Sequence, residues 1–162
     1  MTKKKIILSV IVVILIVLIA FCLIYTRPRT LDSILNGKEI TNLSAHISVK
    51  DIKMGKPTID SWSIQGDQVD DEILSDLTAL MRSCKYRTKL ISLTKPTSVS
   101  GDNSAYAAYL HVFLDDGTDF NIDYLGSVVT FDFPNGCITS ATDKQIAAKL
   151  SEYIIPISET NE

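Results

Sequence analysis

The N-terminal 25 residues limit the fold of this 162-residue chain more than any other part of the sequence. Between Ile6 and Tyr25, 19 of 20 residues are apolar, and Ser9 is the exception. A helix of 20 residues rises about 30 Å, which matches the hydrocarbon core of a bilayer. The sequence therefore predicts a single transmembrane helix, a signal anchor, over residues 6–25.

The charges on either side of this run predict its orientation. Lys3, Lys4 and Lys5 lie in a short basic tail, residues 1–5, and Arg27 and Arg29 follow the run. Positive charge is favoured on the cytoplasmic side of a membrane. We expect a single-pass cell-membrane protein with a cytoplasmic N-terminus and an extracytoplasmic C-terminal domain.

Two other fates of the N-terminal run stay open. A cleaved signal peptide has the same order of basic and apolar residues, and Ala20-Phe21-Cys22 is its best, though poor, cleavage site. A lipoprotein would carry its lipid on Cys22, but Phe21 stands where such sites have a small residue. A retained anchor fits the long run better than either.

The charge of the remaining chain excludes several classes of protein. All 19 acidic residues follow the apolar run. From Thr30 onward the chain has 11 basic and 19 acidic residues. Together with the anchor, this balance excludes a purely cytosolic protein, a polytopic transporter and a nucleic-acid binder driven by net positive charge. We expect the membrane to be a partner of this chain, and we do not expect nucleic acid to be one.

Apolar alternation after a linker at 26–29 predicts a domain rich in strands over residues 30–156, with a frayed tail at 157–162. The strongest signal is a hairpin in which Tyr106–Leu114 and Thr118–Tyr124 flank Asp115-Asp116-Gly117. A three-residue loop with Gly117 left-handed makes one face wholly apolar. It pairs Val112 with Phe120, Leu110 with Ile122 and Ala108 with Tyr124. Further strands are predicted at 43–50, 59–64, 86–93, 128–133 and 137–140.

Two longer segments have the period of an amphipathic helix. One opens at Asp70 and ends near 82–85, and the other opens with a capping box at 142–145. A short helical segment is capped by Thr30 and Gly37. The predicted class is α+β: a transmembrane helix and then a two-layer domain, with a mostly antiparallel sheet and two amphipathic helices.

The sequence offers no catalytic or cofactor motif. Its two histidines, His46 and His111, do not form a metal-binding spacing, and no serine lies in a nucleophile motif. The acidic loop around Asp116 is already explained as a hairpin turn. We therefore expect no enzyme activity, no cofactor and no metal. Cys84 and Cys137 could form a disulfide outside the cell, and two buried thiols are the alternative.

Two groups of residues are candidates for a binding surface. The first is basic and includes Arg82, Lys85, Arg87 and Lys89, which lie in a 14-residue stretch without an acid. It would bind an anionic partner, or form cross-strand charge pairs with a neighbouring strand. The second is aromatic: Tyr109 and Phe113, on the same side of their strand as His111, with Trp62 as a further candidate. Exposed aromatic groups mark partner surfaces, although another element could cover them.

The anchor followed by one small acidic domain resembles the uncharacterised membrane-anchored extracytoplasmic proteins of Gram-positive bacteria. The resemblance covers the architecture of the whole chain, depends on no diagnostic motif and transfers no site residues. The predicted function is a binding or accessory domain that contacts a protein or an envelope component, without catalysis. An immunity-type self-protection protein and an envelope hydrolase are the alternatives.

Overall fold

The computed structural model describes residues 3–53, 56–88, 105–125, 128–132, 138–141, 143 and 145–160. Within these residues the chain is α+β, with a mostly antiparallel sheet and several helices, as the sequence predicts. The elements in chain order are α1 (Lys3–Tyr25), β1 (Arg29–Thr30), α2 (Leu31–Leu35), β2 (Ile40–Lys53), β3 (Lys56–Ile64), a 3-10 turn (Gly66–Gln68), α3 (Asp71–Arg82), β4 (Lys85–Thr88), β5 (Tyr106–Leu114), β6 (Asp119–Leu125), β7 (Val128–Phe131), β8 (Ile138–Ala141) and α4 (Ile146–Thr160).

The eight described strands form one sheet in the order β1-β4-β8-β7-β6-β5-β2-β3. Each neighbouring pair is antiparallel. Strand β1, which follows α1 after a short linker, lies at one edge and pairs with β4. The nine-residue strand β3 forms the opposite edge.

The predicted β5–β6 hairpin is confirmed, with its register. Val112 lies opposite Phe120, and the next two apolar pairs follow as expected. Gly117 has a φ of 79°, and its amide donates to the carbonyl of Leu114 at 3.1 Å. The Leu114 amide in turn donates to the carbonyl of Thr118 at 2.9 Å. The loop requires this left-handed conformation at residue 117, and glycine is favoured there because a residue with a side chain would be strained.

Helix α3 begins as the sequence predicts, because the Asp70 carboxylate accepts from the Ile73 amide at 2.8 Å. Helix α2 is capped by Thr30, but Asn36, with a φ of 56°, is its left-handed C-cap where Gly37 was predicted. Asparagine tolerates this conformation, and Gly37 takes it as well, with a φ of 83°. The chain therefore leaves α2 through two left-handed residues.

Helix α4 is longer than the sequence analysis expects. It continues through Pro156 to Thr160, so the tail predicted to fray after residue 156 is helical as far as Thr160. Ser158 is buried and donates to the Ile155 carbonyl at 2.9 Å, while Glu159 accepts a hydrogen bond from Trp62 of β3. The burial of Ser158 and the contact between Glu159 and Trp62 stabilise the last turn, although Pro156 lacks the amide that a helix normally uses.

One face of the sheet packs against helices, and alternate residues of each strand reach it. Leu110 on this side is 2% exposed, whereas its neighbour Tyr109 is 39% exposed. A single core joins strand residues to the apolar sides of α2, α3 and α4, including Leu31, Ile47, Leu77, Met81, Leu110, Ile122, Leu150 and Ile154. Within the described residues, no helix lies over the other side, which we call the open face.

Helix α1 extends over 23 residues and exposes aliphatic side chains along its length. Its last turn is closed by Thr26, whose hydroxyl donates to the Cys22 carbonyl at 2.8 Å. Across the described residues, no helix combines the length and apolarity that a membrane crossing requires. The anchor over residues 6–25 therefore stays a prediction.

The thiol of Cys84 lies at the buried junction between α3 and β4. Burial raises the pKa of this thiol, which keeps it protonated. Cys84 is not in a disulfide within the described part of the chain. Cys137 lies outside the described residues, so the pairing of the two stays a prediction.

Candidate functional site

The open face is formed by side chains that the strand registers place on the same side. These are Ser44, His46 and Ser48 of β2, Ile59, Ser61 and Ser63 of β3, Tyr109, His111 and Phe113 of β5, and Asp119, Asn121 and Asp123 of β6. They alternate with core residues because successive strand side chains point to opposite faces.

Aromatic and aliphatic side chains lie exposed on this face. Tyr109 and Phe113 are each 39% exposed, and Ile59 near the β3 edge is 69% exposed. Phe113 makes an edge contact with the ring of His111, with centroids 4.6 Å apart. Tyr109 lies 6.1 Å from the ring of His46. The predicted side of Tyr109, His111 and Phe113 is therefore the side that the helices leave uncovered.

His111 is held by a chain of polar contacts across β5, β6 and β7. Its Nδ1 lies 2.8 Å from Asn121 Oδ1, and its Nε2 lies 3.3 Å from Asp119 Oδ2. Asn121 Nδ2 donates to Asp132 at 2.6 Å, and its backbone amide donates to the same carboxylate. Since Asp132 accepts only, it turns the amide oxygen towards His111. Both ring nitrogens of His111 thus face oxygen atoms of neighbouring side chains.

His46 has a different environment, made of hydroxyl groups. Its Nδ1 lies 2.8 Å from Ser63 Oγ, its cross-strand neighbour, and its Nε2 lies 3.3 Å from Ser48 Oγ. Ser48 also lies 3.3 Å from Ser61. This is a serine ladder on two strands. It does not place a carboxylate behind the histidine, as a nucleophilic triad would require.

A shallow depression of about 200 Å³ lies between the two histidines. Ser63, Tyr109, Asn121 and Asp123 also line it. Burial raises the pKa of the Asp123 carboxyl, and the nearby charge of Asp132 adds to this effect. Among the described residues, no group of three metal-binding side chains comes together here or elsewhere.

The acidic residues of the predicted turn are partly paired. Lys38 Nζ lies 2.7 Å from Asp116 Oδ2, and the Thr118 hydroxyl donates to Asp116 at 2.6 Å. The hydrogen bond from Lys38, with those from Thr118, lowers the pKa of Asp116 to about 2. Three further carboxylates lie near the open face: Asp119 contacts His111, Asp132 contacts Asn121, and Asp123 lies opposite Tyr109.

The predicted basic residues form a separate surface. Lys85 and Arg87 flank buried Tyr86 in β4, and Arg82 Nε lies 2.8 Å from Asp32. Lys89 lies outside the described residues. Four strand spacings separate β4 from β5, or about 19 Å. The basic and aromatic candidates are therefore not parts of one site.

Trp62, the further aromatic candidate, lies on the opposite side of the sheet. It faces Ile47, a core residue, and its Nε1 donates to Glu159 Oε1 of α4 at 3.3 Å. Its inclusion with Tyr109 and Phe113 is wrong, because the β2–β3 register directs Trp62 towards the helices. Ile59 takes the exposed position on β3 instead.

Asn121, Asp132 and the serine ladder were not among the site residues predicted from the sequence. The alternation of β6 was a usable signal for Asn121, since the confirmed register places it opposite His111. Asp132 follows β7, whose pairing with β6 brings it next to Asn121. The serine ladder required the β2–β3 register, which spans a turn that the pattern did not fix.

A second depression, of about 630 Å³, lies beside α3 and the start of β2. Its lining includes Glu39, Leu74, Thr78 and Arg82. The hydroxyl of Thr78 is buried and has no hydrogen-bond partner in the described structure. This depression is distinct from the open face, which shares none of its lining residues.

No protein-family model matches the chain, and no significant match was found among characterised proteins or solved structures.

Proposed function

We propose that this chain is a single-pass membrane protein whose extracytoplasmic domain binds a partner protein through the open face, without catalysis. The observation that supports this best is the asymmetry of the sheet. One face is fully packed by helices, while the other exposes Tyr109 and Phe113 beside a polar depression. Exposed aromatic side chains grouped on a protein surface are typical of interaction sites.

The anchor in this proposal is α1. Its 23 residues correspond to about 35 Å of helix, longer than the hydrocarbon core. Aliphatic side chains are exposed between Ile7 and Ile24, including Val10, Leu15 and Leu23, so in water this helix would expose a large apolar surface. A bilayer removes that surface from water. Cleavage near residue 22, or a lipid on Cys22, remains an alternative to retention.

The charge on the open face favours one kind of partner. Asp119 lies 3.3 Å from His111, Asp132 accepts from the neighbouring Asn121, and Asp123 lies opposite the exposed Tyr109. An anionic envelope polymer would be repelled by this group. A protein that presents apolar side chains with lysine or arginine beside them would fit both features. We therefore favour a protein with a basic surface over the envelope polymers that the sequence alone allowed.

Site-specific photo-crosslinking on intact cells tests the proposal. A photoreactive phenylalanine replaces Tyr109 on the open face, and a matched chain carries it at Glu152, an exposed position on α4. We expect a discrete adduct with another protein from position 109 and none from position 152. The substitution Phe113→Ser should abolish the adduct at unchanged protein level. Identical adducts from both positions, or none from position 109, would contradict the proposal.

The orientation of the chain is tested in the same cells. A membrane-impermeant amine reagent should label Lys50 and Lys149, which are exposed in the domain, before lysis. Labelling that appears only after lysis would place the domain in the cytoplasm. In that case the anchor or its orientation is wrong, whatever the open face binds.

A further inference from the structure

All four arginines of the sequence lie at one edge of the fold. Arg27 and Arg29 follow α1, Arg82 ends α3, and Arg87 lies in β4. Strand β1 places Arg29 beside β4, because Arg29 and Thr30 pair with Tyr86 and Lys85 of β4. Each of the four arginine side chains is exposed. We call this group the arginine edge.

The chain itself limits how far the arginine edge can lie from the end of α1. Three residues separate Tyr25 from Arg29, and the four Cα–Cα steps between these two residues span at most about 14 Å when fully extended. Since β1 is hydrogen-bonded to β4, Arg87 is held near this point for any rotation of the domain. The opposite edge, β3, is seven strand spacings away, or about 34 Å in a flat sheet.

One arginine of this edge is already paired with an acid, since Asp32 of α2 holds Arg82 through Nε, at 2.8 Å. Arg29 lies on the same side of the sheet as Tyr86, which it faces, and Arg87 lies on the other side, so both sides of this edge carry an exposed guanidinium. A guanidinium donates two parallel hydrogen bonds to a phosphate, and arginine is the usual residue at such contacts.

We infer that the arginine edge binds the anionic phospholipid headgroups of the membrane that holds α1. This inference rests on the anchor in the proposed function. The linker keeps Arg29 and Arg87 within reach of the headgroups, and the surface potential of an anionic membrane acts over a Debye length of about 8 Å. The contact would fix which edge of the sheet faces the membrane and leave β3 as the distal edge.

The test uses the full chain reconstituted into two kinds of vesicle. One contains phosphatidylcholine alone, and the other contains phosphatidylcholine with about 30% phosphatidylglycerol. An arginine-specific dicarbonyl reagent then labels the outward-facing domains, and mass spectrometry gives the rate at each arginine. We expect Arg29 and Arg87 to react about fivefold more slowly in the anionic vesicles. This difference should disappear in about 1 M salt.

Two variants at Arg87 distinguish binding at the arginine edge from non-specific attraction between the domain and the membrane. Arg87→Gln should move the rate at Arg29 in anionic vesicles towards its value in phosphatidylcholine, and Arg87→Lys should move it less. The matched control is Lys50→Gln on β2, five strand spacings from β4, which should change nothing. An equal effect of Lys50→Gln would overturn the inference in favour of non-specific attraction.

Alkaline extraction of the same vesicles distinguishes the two levels of the proposal. If the chain stays in the bilayer and the arginine rates are equal in both vesicles, the lipid contact is wrong and the anchor stands. If alkali removes the chain, the anchor fails and the lipid contact that depends on it fails too. The comparison of the two vesicles needs no variant, so misfolding of a mutant cannot mask the answer.

Discussion

The covered and open faces of the sheet belong to the same strands but hold their polar side chains by different means. On the covered face, the Tyr86 hydroxyl donates to the Met81 carbonyl at 2.8 Å and lies 2.9 Å from the Tyr124 hydroxyl, with both rings buried. On the open face, His111 and Asn121 make bonds of similar length where water competes. One side of the sheet therefore keeps its polar groups away from water, and the other leaves them accessible to it.

The largest difference between the covered face and the open face is expected from substitutions at two adjacent residues of β5. Leu110→Ala should lower the free energy of unfolding by about 2–5 kcal/mol, because it leaves a cavity in the core. Tyr109→Ala, one residue earlier, should change it by only about 0.5 kcal/mol. Denaturant unfolding of the full chain in detergent, followed by circular dichroism, measures both. Comparable losses at the two positions would show that the open face is covered in solution.

The buried tyrosine pair gives the next largest effect. Tyr86 donates to Met81, so Tyr124 must donate to Tyr86. Tyr86→Phe leaves the Tyr124 hydroxyl without a partner and removes one of the hydrogen bonds that the Met81 carbonyl accepts, the Cys84 amide being another donor, and should destabilise by about 1–3 kcal/mol. Tyr124→Phe leaves Tyr86 bonded to Met81 and should be milder, at about 1 kcal/mol. The reverse order in a double-mutant cycle would mean that the donors are assigned wrongly.

Alkaline pH should act through the covered side. Burial raises the pKa of Tyr86 and of Tyr124, and burial with a hydrogen bond to Asp76 raises the pKa of Tyr153 to about 12. The unfolded chain loses these protons near pH 10, so the free energy of unfolding should fall as the pH rises from about 10. Tyrosinate absorption should appear together with unfolding. Full ionisation in a folded chain would contradict the prediction.

The smallest effect is expected at the exposed turn between β5 and β6. Lys38 lowers the pKa of Asp116 to about 2, so the stability from this pair is present above pH 4 or so and is lost as the pH falls through about 2. Asp116→Asn should remove this part of the acid dependence, and Lys38→Gln should have the same effect. The change should be slight because water screens the exposed pair. A large loss of stability in either variant would indicate that the pair is shielded from water.

Local patterns were enough to predict much of this fold. The register of the β5–β6 hairpin follows from its apolar pairs and Gly117, and the start of α3 follows from Asp70. The same alternation placed Tyr109 and Phe113 on the side away from the core. These features depend on residues close together in the sequence.

Features that depend on distant partners could not be predicted in the same way. The face of Trp62 is set by pairing with Ile47 and by α4, since β3 has apolar residues in both phases of its alternation. The last turn of α4 depends on contacts with β3 rather than on its own propensity. Pairing of the two-residue strand β1 with β4 joins positions more than 50 residues apart, and no pattern in either segment signals it.

The manner in which the chain enters the sheet also has a mechanical consequence. A pulling force applied through α1 reaches the domain at β1, whose ladder with β4 has two residue pairs. The β2–β5 ladder, deeper in the sheet, has nine. Tension would therefore detach β1 and then α2 before it loaded the long strands. The segment between α1 and the sheet would lengthen under tension while the open face kept its shape.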